Sequence, residues 1–384
     1  MMAIFVKKEA MKNPFILSPN APKSLFCDRE RETQDLVRYL ENGSDITLIS
    51  PRRYGKTGLI YHVFEALEEK QTGYETYYVD IYATRSFEDF VTLLAESVYG
   101  RLKGKPTMRA FLDVLTSVRP VVSPDPVSGV PQLSFTFQNE QEKRYSLRAV
   151  MDYLEHRKKK VVVAIDEFQQ VRTYEGVQFE ALLRSCIQPL RNVQFIFSGS
   201  KRHVMSDMFT GEKSPFYESA GIYPLDKISH GSYAAFIRKQ FEDNGKHIMD
   251  DAVDAILDWT GRHTYYTQFL CNRVFQDVRK EASLLDVFRC ADIILDENAD
   301  AFLERRNLLT RKQWDYLIAV AKEGTLSRPT SAEFLQKYRL GAPSSSLRTL
   351  ESLVEKELVL ETRRPEGSIY RVYNVFLSHW LERL

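Results

Sequence analysis

Two short stretches hold residue types that can handle phosphate groups and a divalent cation. The first is Ser50-Pro51-Arg52-Arg53-Tyr54-Gly55-Lys56-Thr57-Gly58, directly after the apolar, β-branched run Ile46-Thr47-Leu48-Ile49. It fits the pattern G-x-x-x-x-G-K-[ST] with Ser50 at the first glycine. In such a loop the backbone N–H groups wrap the β- and γ-phosphates, the lysine reaches the same oxygens, and the threonine hydroxyl ligates Mg²⁺. An amphipathic pattern of Leu59, Ile60, Val63, Phe64 and Leu67 follows. A helix there points its positive N-terminal end at the phosphates. The second stretch is Val161-Val162-Val163-Ala164-Ile165-Asp166-Glu167-Phe168, a continuous apolar strand ending in two carboxylates. Asp166 is placed to orient Mg²⁺ and its waters, and Glu167 to polarise a water that attacks the γ-phosphate. A surface turn can contain Gly-Lys-Thr, and a strand can end in solvated acids. Together, after a buried-type strand and before a helix, the two stretches point to a nucleoside triphosphate.

Groups so far apart in sequence meet only at one edge of a sheet. The pattern predicts strands at 46–49, 74–82, 161–166, 192–199 and 221–225, with helices at 86–102 and 140–157. Strands alternating with helices require a parallel sheet with right-handed crossovers and helices on both faces. The fourth strand closes on Ser198-Gly199-Ser200, where a polar side chain would sit between the phosphate loop and the acids. Asp28 is a candidate N-cap for a helix carrying Leu36, Val37, Tyr39 and Leu40. Residues 103–136 are rich in proline and read as an insertion with a hairpin around Leu133, Phe135 and Phe137, and with a turn at 125–129.

From residue 229 the strands stop and helices are expected at 232–244, 251–259, 265–281 and 284–306, a lid-like group. Its middle holds Gly261-Arg262-His263-Thr264, where Arg262 and His263 could reach nucleotide or simply form a turn. Three further helices at 310–322, 331–337 and 344–356, then two strand-like runs around Arg363-Arg364-Pro365-Glu366-Gly367, describe a winged helix. The expected division is an N-terminal arm at 1–25, an α/β core at 26–228, a helical lid at 229–306 and a winged-helix domain at 307–384.

A chain of 384 residues exceeds what one core usually holds, in line with that division. With 53 basic and 52 acidic residues the net charge is +1, so any attraction for nucleic acid must come from a local patch. Four cysteines without C-x-x-C spacing suggest neither a zinc site nor a disulfide framework. No apolar run approaches a membrane span, and Lys7 and Lys8 precede no signal-type apolar stretch, so a cytoplasmic protein is expected.

With these parts in this order, the chain resembles the predicted archaeal-type ATPase family, within the AAA+/STAND group of P-loop ATPases. The motifs that carry the resemblance are Pro51 to Thr57, Ile165-Asp166-Glu167-Phe168-Gln169 and Phe197-Ser198-Gly199-Ser200. The resemblance implies that the segment from Phe26 to Glu30, written F-x-G-R-E in the family, lies near adenine through Arg29 and Glu30, with Asp28 where glycine is usual. It implies a sensor role for Ser200, and a G-x-P-type turn at 261–266 in which Thr264 replaces the proline. An arginine that often follows a segment like Ser214-Pro215-Phe216-Tyr217 is replaced by Glu218-Ser219, with Arg202 a substitute. Without that charge, slow turnover is expected. The cofactors implied are ATP and Mg²⁺. The site set is Arg29, Glu30, Pro51, Arg52, Arg53, Tyr54, Gly55, Lys56, Thr57 and Gly58 for nucleotide, Thr57 and Asp166 for metal, and Lys56, Glu167 and Ser200 for catalysis. The expected function is a slow ATPase that acts as a conformational switch on the winged helix, with a protein partner or a second copy as its target. The competing readings are a nucleotide-regulated DNA-binding protein, for which the mixed charge of the third helix leaves Arg363 and Arg364 as phosphate contacts, and a non-hydrolysing ATP-binding scaffold.

Overall fold

β-Branched and aromatic residues build the central sheet, and the computed structural model describes residues 13–18, 22–70, 73–115, 121–124, 131–135, 137, 139–175 and 178–384. The chain divides into two units, Ser18–Ile228 and Ser229–Leu384, the second joined by the described residues Asn13–Leu17. The first unit runs α1 (Glu30–Glu41), β1 (Ile46–Ile49), α2 (Lys56–Glu68), β2 (Tyr74–Asp80), α3 (Phe87–Arg101), α4 (Lys105–Val114), β3 (Val121–Pro124), β4 (Pro131–Ser134), α5 (Glu140–Glu155), β5 (Lys160–Asp166), α6 (Phe179–Ile187), β6 (Val193–Gly199), α7 (Arg202–Thr210) and β7 (Gly221–Pro224).

Five of these strands form an all-parallel sheet in the order β2-β5-β6-β1-β7. Side chains alternate across it. Val161, Val163 and Ile165 of β5 join a core with α3, α5, α6 and α7, while Val162 and Ala164 join a second core with α1 and α2 on the other face. Burial on both faces explains why β5 reads as an unbroken apolar run. The topology places the C-terminal ends of β1, β5 and β6 side by side, as the acidic and phosphate-type stretches require.

Three local expectations fail in this unit. Asp28 is not an N-cap: α1 starts at Glu30 behind Arg29, which makes no side-chain cap bond, and both Asp28 (φ 57°) and Arg29 (φ 82°) are left-handed. A glycine suits such a position, and aspartate is among the residues that tolerate it. The insertion hairpin pairs Val121–Pro124 with Pro131–Ser134, so Phe135 and Phe137 lie beyond the strand, and α4 precedes the hairpin where only an irregular segment was expected. The turn expected at 125–129 and the first twelve residues lie outside the described residues.

The second unit contains α8 (His230–Asp243), β8 (His247–Ile248), α9 (Asp250–Trp259), α10 (Thr264–Asp277), β9 (Glu281–Ala282), α11 (Leu284–Glu297), α12 (Ala299–Asn307), α13 (Arg311–Glu323), α14 (Ala332–Lys337), α15 (Pro343–Glu355), β10 (Val359–Arg364), β11 (Gly367–Val372) and α16 (Val375–Glu382). Strands do not stop at residue 229, because β8 and β9 pair in parallel. Nor is 284–306 one helix: the chain breaks at Asn298, whose side chain donates to the Ile294 carbonyl. Phe15 is fully buried here among Phe236, Phe241 and Phe275, and Asn13 and Asn272 exchange side-chain to backbone hydrogen bonds with this segment. The winged helix consists of α13, α14 and α15 with the antiparallel β10 and β11, and Leu326 adds a bridge to Tyr370. Its last helix, α16, packs on the preceding helices: His379 stacks on Trp259 at 4.4 Å and Phe376 meets Tyr266 and Phe269.

Candidate functional site

β1 delivers Ser50 to the sheet edge, where its N–H reaches the Gly199 carbonyl of β6 at 3.4 Å. Ser50 is buried and keeps a negative φ, so the backbone here does not demand the glycine usual in such loops. Gly55 does sit in the left-handed region, at φ 91°, and caps α2. Arg53 shares that conformation (φ 61°) and points outward, exposed, while Tyr54 and Gly58 are buried beneath the loop and Arg52 lies 5.4 Å from the ring of Tyr82. Lys56 is only 6% exposed, and its ammonium donates to the carbonyls of Ser50 (3.1 Å) and Pro51 (3.4 Å). Burial pushes that ammonium below its ordinary value, opposed by Asp166 and Glu167. A buried cation at a helix N-terminus, held by two backbone carbonyls, is a ready partner for an anion with several oxygens.

The acids arrive from β5. Asp166 is buried, and its Oδ2 accepts from the Thr57 hydroxyl at 2.9 Å and from the Tyr78 hydroxyl at 2.7 Å, while Oδ1 accepts the Glu167 N–H at 3.0 Å. Thr57 and Asp166, 109 residues apart in sequence, therefore meet directly. Among the described residues no cluster of three or more His, Cys, Asp or Glu side chains could cage a metal. One hydroxyl and one carboxylate, both hard oxygen donors, nevertheless suit Mg²⁺, which takes few protein ligands and completes its shell with phosphate and water.

Glu167 takes a left-handed turn (φ 55°) as the strand ends, and its Oε2 accepts from Ser200 at 2.8 Å and from the Gln169 amide. A non-glycine residue held at positive φ is costly and persists where its surroundings fix it. Here the fully buried Phe168 behind it packs against Phe197, Phe209 and Phe216. Gly199 is tightly packed for another reason, since a Cβ there would come within 2.5 Å of the Gln169 and Met205 side chains, which would have to shift. Asp80, level with Asp166 across the β2–β5 ladder, has its carboxyl raised by burial and by the nearby Asp166 and Glu167 charges.

Arg29 is buried, and its guanidinium pairs with Glu32 and donates to the Asp226 carbonyl at 2.6 Å, so it braces the start of α1 against the end of the sheet. Glu30 is exposed at the start of α1.

Residues 26–268 match the family model described as an ATPase domain predominantly from Archaea, and residues 300–383 match that of a probable winged helix domain. The chain belongs to that ATPase family. Solved structures with the same fold as this ATPase-family chain include a Walker-type ATPase of Pyrococcus abyssi (17% identity, TM-score 0.64, covering 97% of this chain and 100% of that one). The Aeropyrum pernix ORC2 protein in ADPNP-ADP complexes is similar at 16% identity and TM-score 0.56, covering 92% of each chain. The Aeropyrum pernix ORC1 protein in complex with DNA is similar at 13% identity and TM-score 0.54, covering 97% of this chain and 96% of that one. No curated protein matches the sequence. Among the described residues no helix is long and apolar enough to cross a membrane.

Lys56, Thr57, Asp166, Glu167 and Ser200, all singled out from sequence, lie at one sheet edge of this ATPase-family chain. Tyr78 and Gln169 also touch its acids; Gln169 was named only as the end of the acidic motif, with no role, and Tyr78 was not singled out. The signal for Tyr78 was its place two residues before Asp80 on the neighbouring strand, where alternation sends it to the face that carries α2.

Proposed function

We propose that this ATPase-family chain binds Mg·ATP on the loop at residues 50–57 and hydrolyses it slowly, as a conformational switch coupled to the winged helix. The direct meeting of Thr57 with Asp166 at 2.9 Å supports this reading most strongly, because an ordinary surface turn has no need of it. In this reading the backbone of Pro51, Arg52, Arg53, Tyr54 and Gly55 wraps the phosphates and Lys56 exchanges its carbonyl partners for phosphate oxygens. Arg29 and Glu30 shape the adenine side. Thr57 and Asp166 would hold Mg²⁺, which screens phosphate charge as it builds up in transfer. Glu167 accepts a proton from the attacking water. Ser200, at 2.8 Å from that carboxylate, aligns it or touches the γ-phosphate. Glu218 stands at the arginine-finger position, itself left-handed (φ 50°), and Arg202 opens α7, exposed. Slow turnover is consistent with a finger that is missing or supplied by a second copy. We place the protein in the cytoplasm, with the lid at 229–306 and the winged helix at 307–384 as output.

Steady-state hydrolysis and nucleotide binding test this directly. Lys56→Ala should abolish binding, and Glu167→Gln should bind Mg·ATP but lose about 10²–10⁴-fold in turnover, the usual worth of a general base. Tight binding with no hydrolysis in the wild type would leave the non-hydrolysing scaffold.

A second reading, a nucleotide-regulated DNA-binding protein, is favoured by a groove of about 290 Å³ in the winged helix, lined by Lys312 and Arg348 with the hydroxyls of Thr310, Ser344 and Ser345. Arg363 and Arg364, exposed in the wing, add to it. A similar fold in the ORC1 complex with DNA agrees with this reading.

A further inference from the structure

Asp166 is held by a tyrosine from the neighbouring strand, an arrangement that neither loop chemistry nor the acidic strand requires. We propose that Tyr78 is a positioning residue for the metal end of the site: its hydroxyl fixes the Asp166 carboxylate in the orientation in which it faces Thr57. The inference rests on the Mg·ATP reading of the same site.

The placement follows from the strand. β2 pairs in parallel with β5, setting Tyr78 opposite Ala164 and Asp80 opposite Asp166. Alternation buries Tyr77 in the core shared with α3 and α5 and turns Tyr78 to the face of α2, where its ring lies 5.1 Å from that of Tyr61. From opposite Ala164 the Tyr78 hydroxyl reaches two residues along β5, to Asp166. Ser97 of α3 donates to the Tyr78 carbonyl at 3.0 Å, which pins the backbone from the other side.

The result is a carboxylate with three donors from three directions: Tyr78 (2.7 Å) and Thr57 (2.9 Å) on Oδ2, and the Glu167 N–H (3.0 Å) on Oδ1. Thr57 is itself a candidate ligand, so its hydroxyl changes surroundings when a metal enters. The Glu167 N–H lies on the oxygen away from Thr57. Of the two side-chain donors on Oδ2, Tyr78 is therefore the one that can go on holding the carboxylate through metal binding. Partners that orient a metal-binding carboxylate typically contribute about 10–100-fold in metal affinity. Removing this one should act on the Mg²⁺ step and leave the loop's own hold on phosphate intact.

The test uses the full chain and a fluorescent ATP analogue, titrated in excess chelator and again across a Mg²⁺ series. Tyr78→Phe keeps the ring packed on Tyr61 and removes only the hydroxyl, which donates to Asp166 and also lies beside Thr57, so its thermal midpoint should stay close to that of the wild type. Its metal-free nucleotide affinity should equal that of the wild type, while the Mg²⁺ concentration for half-maximal enhancement rises by about tenfold. Tyr61→Phe, which removes a hydroxyl from the neighbouring ring, should leave both readings unchanged. An unchanged or lowered Mg²⁺ requirement in Tyr78→Phe overturns the inference while leaving the nucleotide site intact. Equal losses with and without metal overturn it too, since they mark a general packing role. A wild type that binds no nucleotide overturns the reading of the site and this inference together.

Discussion

Asp45 illustrates how much a single group at the sheet entrance can carry. Its carboxylate accepts the Phe195 N–H at 2.8 Å, and its carbonyl accepts the Gly221 N–H at 2.9 Å, so it ties β1 to both neighbouring strands. Burial pushes the carboxyl up to about 6, against the lowering effects of the Phe195 N–H and Arg184. Because this lies above the ordinary value of 3.8, the folded state binds the proton more tightly than the unfolded chain. The stabilisation from that proton is complete below about pH 4 and is lost as pH rises through about 6. Asp45→Asn keeps the acceptor and removes the charge. Its urea midpoint should fall less than that of the wild type between about pH 4 and 6.5, leaving the variant more stable at pH 7 by on the order of 1 kcal/mol. Other residues were legible from sequence to different degrees. Lys56, Thr57, Asp166 and Glu167 could be named because loop and strand chemistry fix residue type and spacing locally. Tyr78 is harder to name, since its place two residues before Asp80 acquires meaning only once β2 is known to lie beside β5, and strand order is not written in any one segment.

Elements were legible where one period dominates. The runs of β1, β5 and β6 are apolar and bounded by turns, and the structure has strands at each. The break at Asn298 was hidden because Leu284 to Asn307 keeps helical composition throughout, and a local amide-to-carbonyl bond ends the first helix. The packing of the segment at Asn13–Leu17 was equally hidden, because one phenylalanine in a proline-rich stretch has no periodicity. Yet Phe15 sits with its ring 5.5–6.2 Å from those of Phe236, Phe241 and Phe275. Phe15→Ala should destabilise the helical unit by about 3–5 kcal/mol, the usual cost of emptying a buried aromatic site. Hydrogen exchange would locate the loss in α8 and α10, with the protection of β5 and β6 unchanged.

At the scale of the whole molecule, a net charge of +1 leaves recognition of nucleic acid to local cations. The DNA reading expects a mobility shift at low salt that weakens in Arg363→Ala and Arg364→Ala, with the salt slope falling by about 0.9 for each phosphate that is no longer neutralised. No shift at low salt would remove that reading. The division into units has a further effect, on time rather than on energy. The helical unit takes its residues from both sides of the α/β unit, and the Asn13–Asn272 hydrogen bond spans 259 positions. At synthesis rates of about 5–20 residues per second, Phe15 waits roughly 10–50 s for the rings that cover it. The α/β unit is fully synthesised within that interval. Birth on the ribosome therefore has an order: the phosphate-loop unit can close first, and the helical unit is completed later around a segment, Asn13–Leu17, that was made before the phosphate-loop unit.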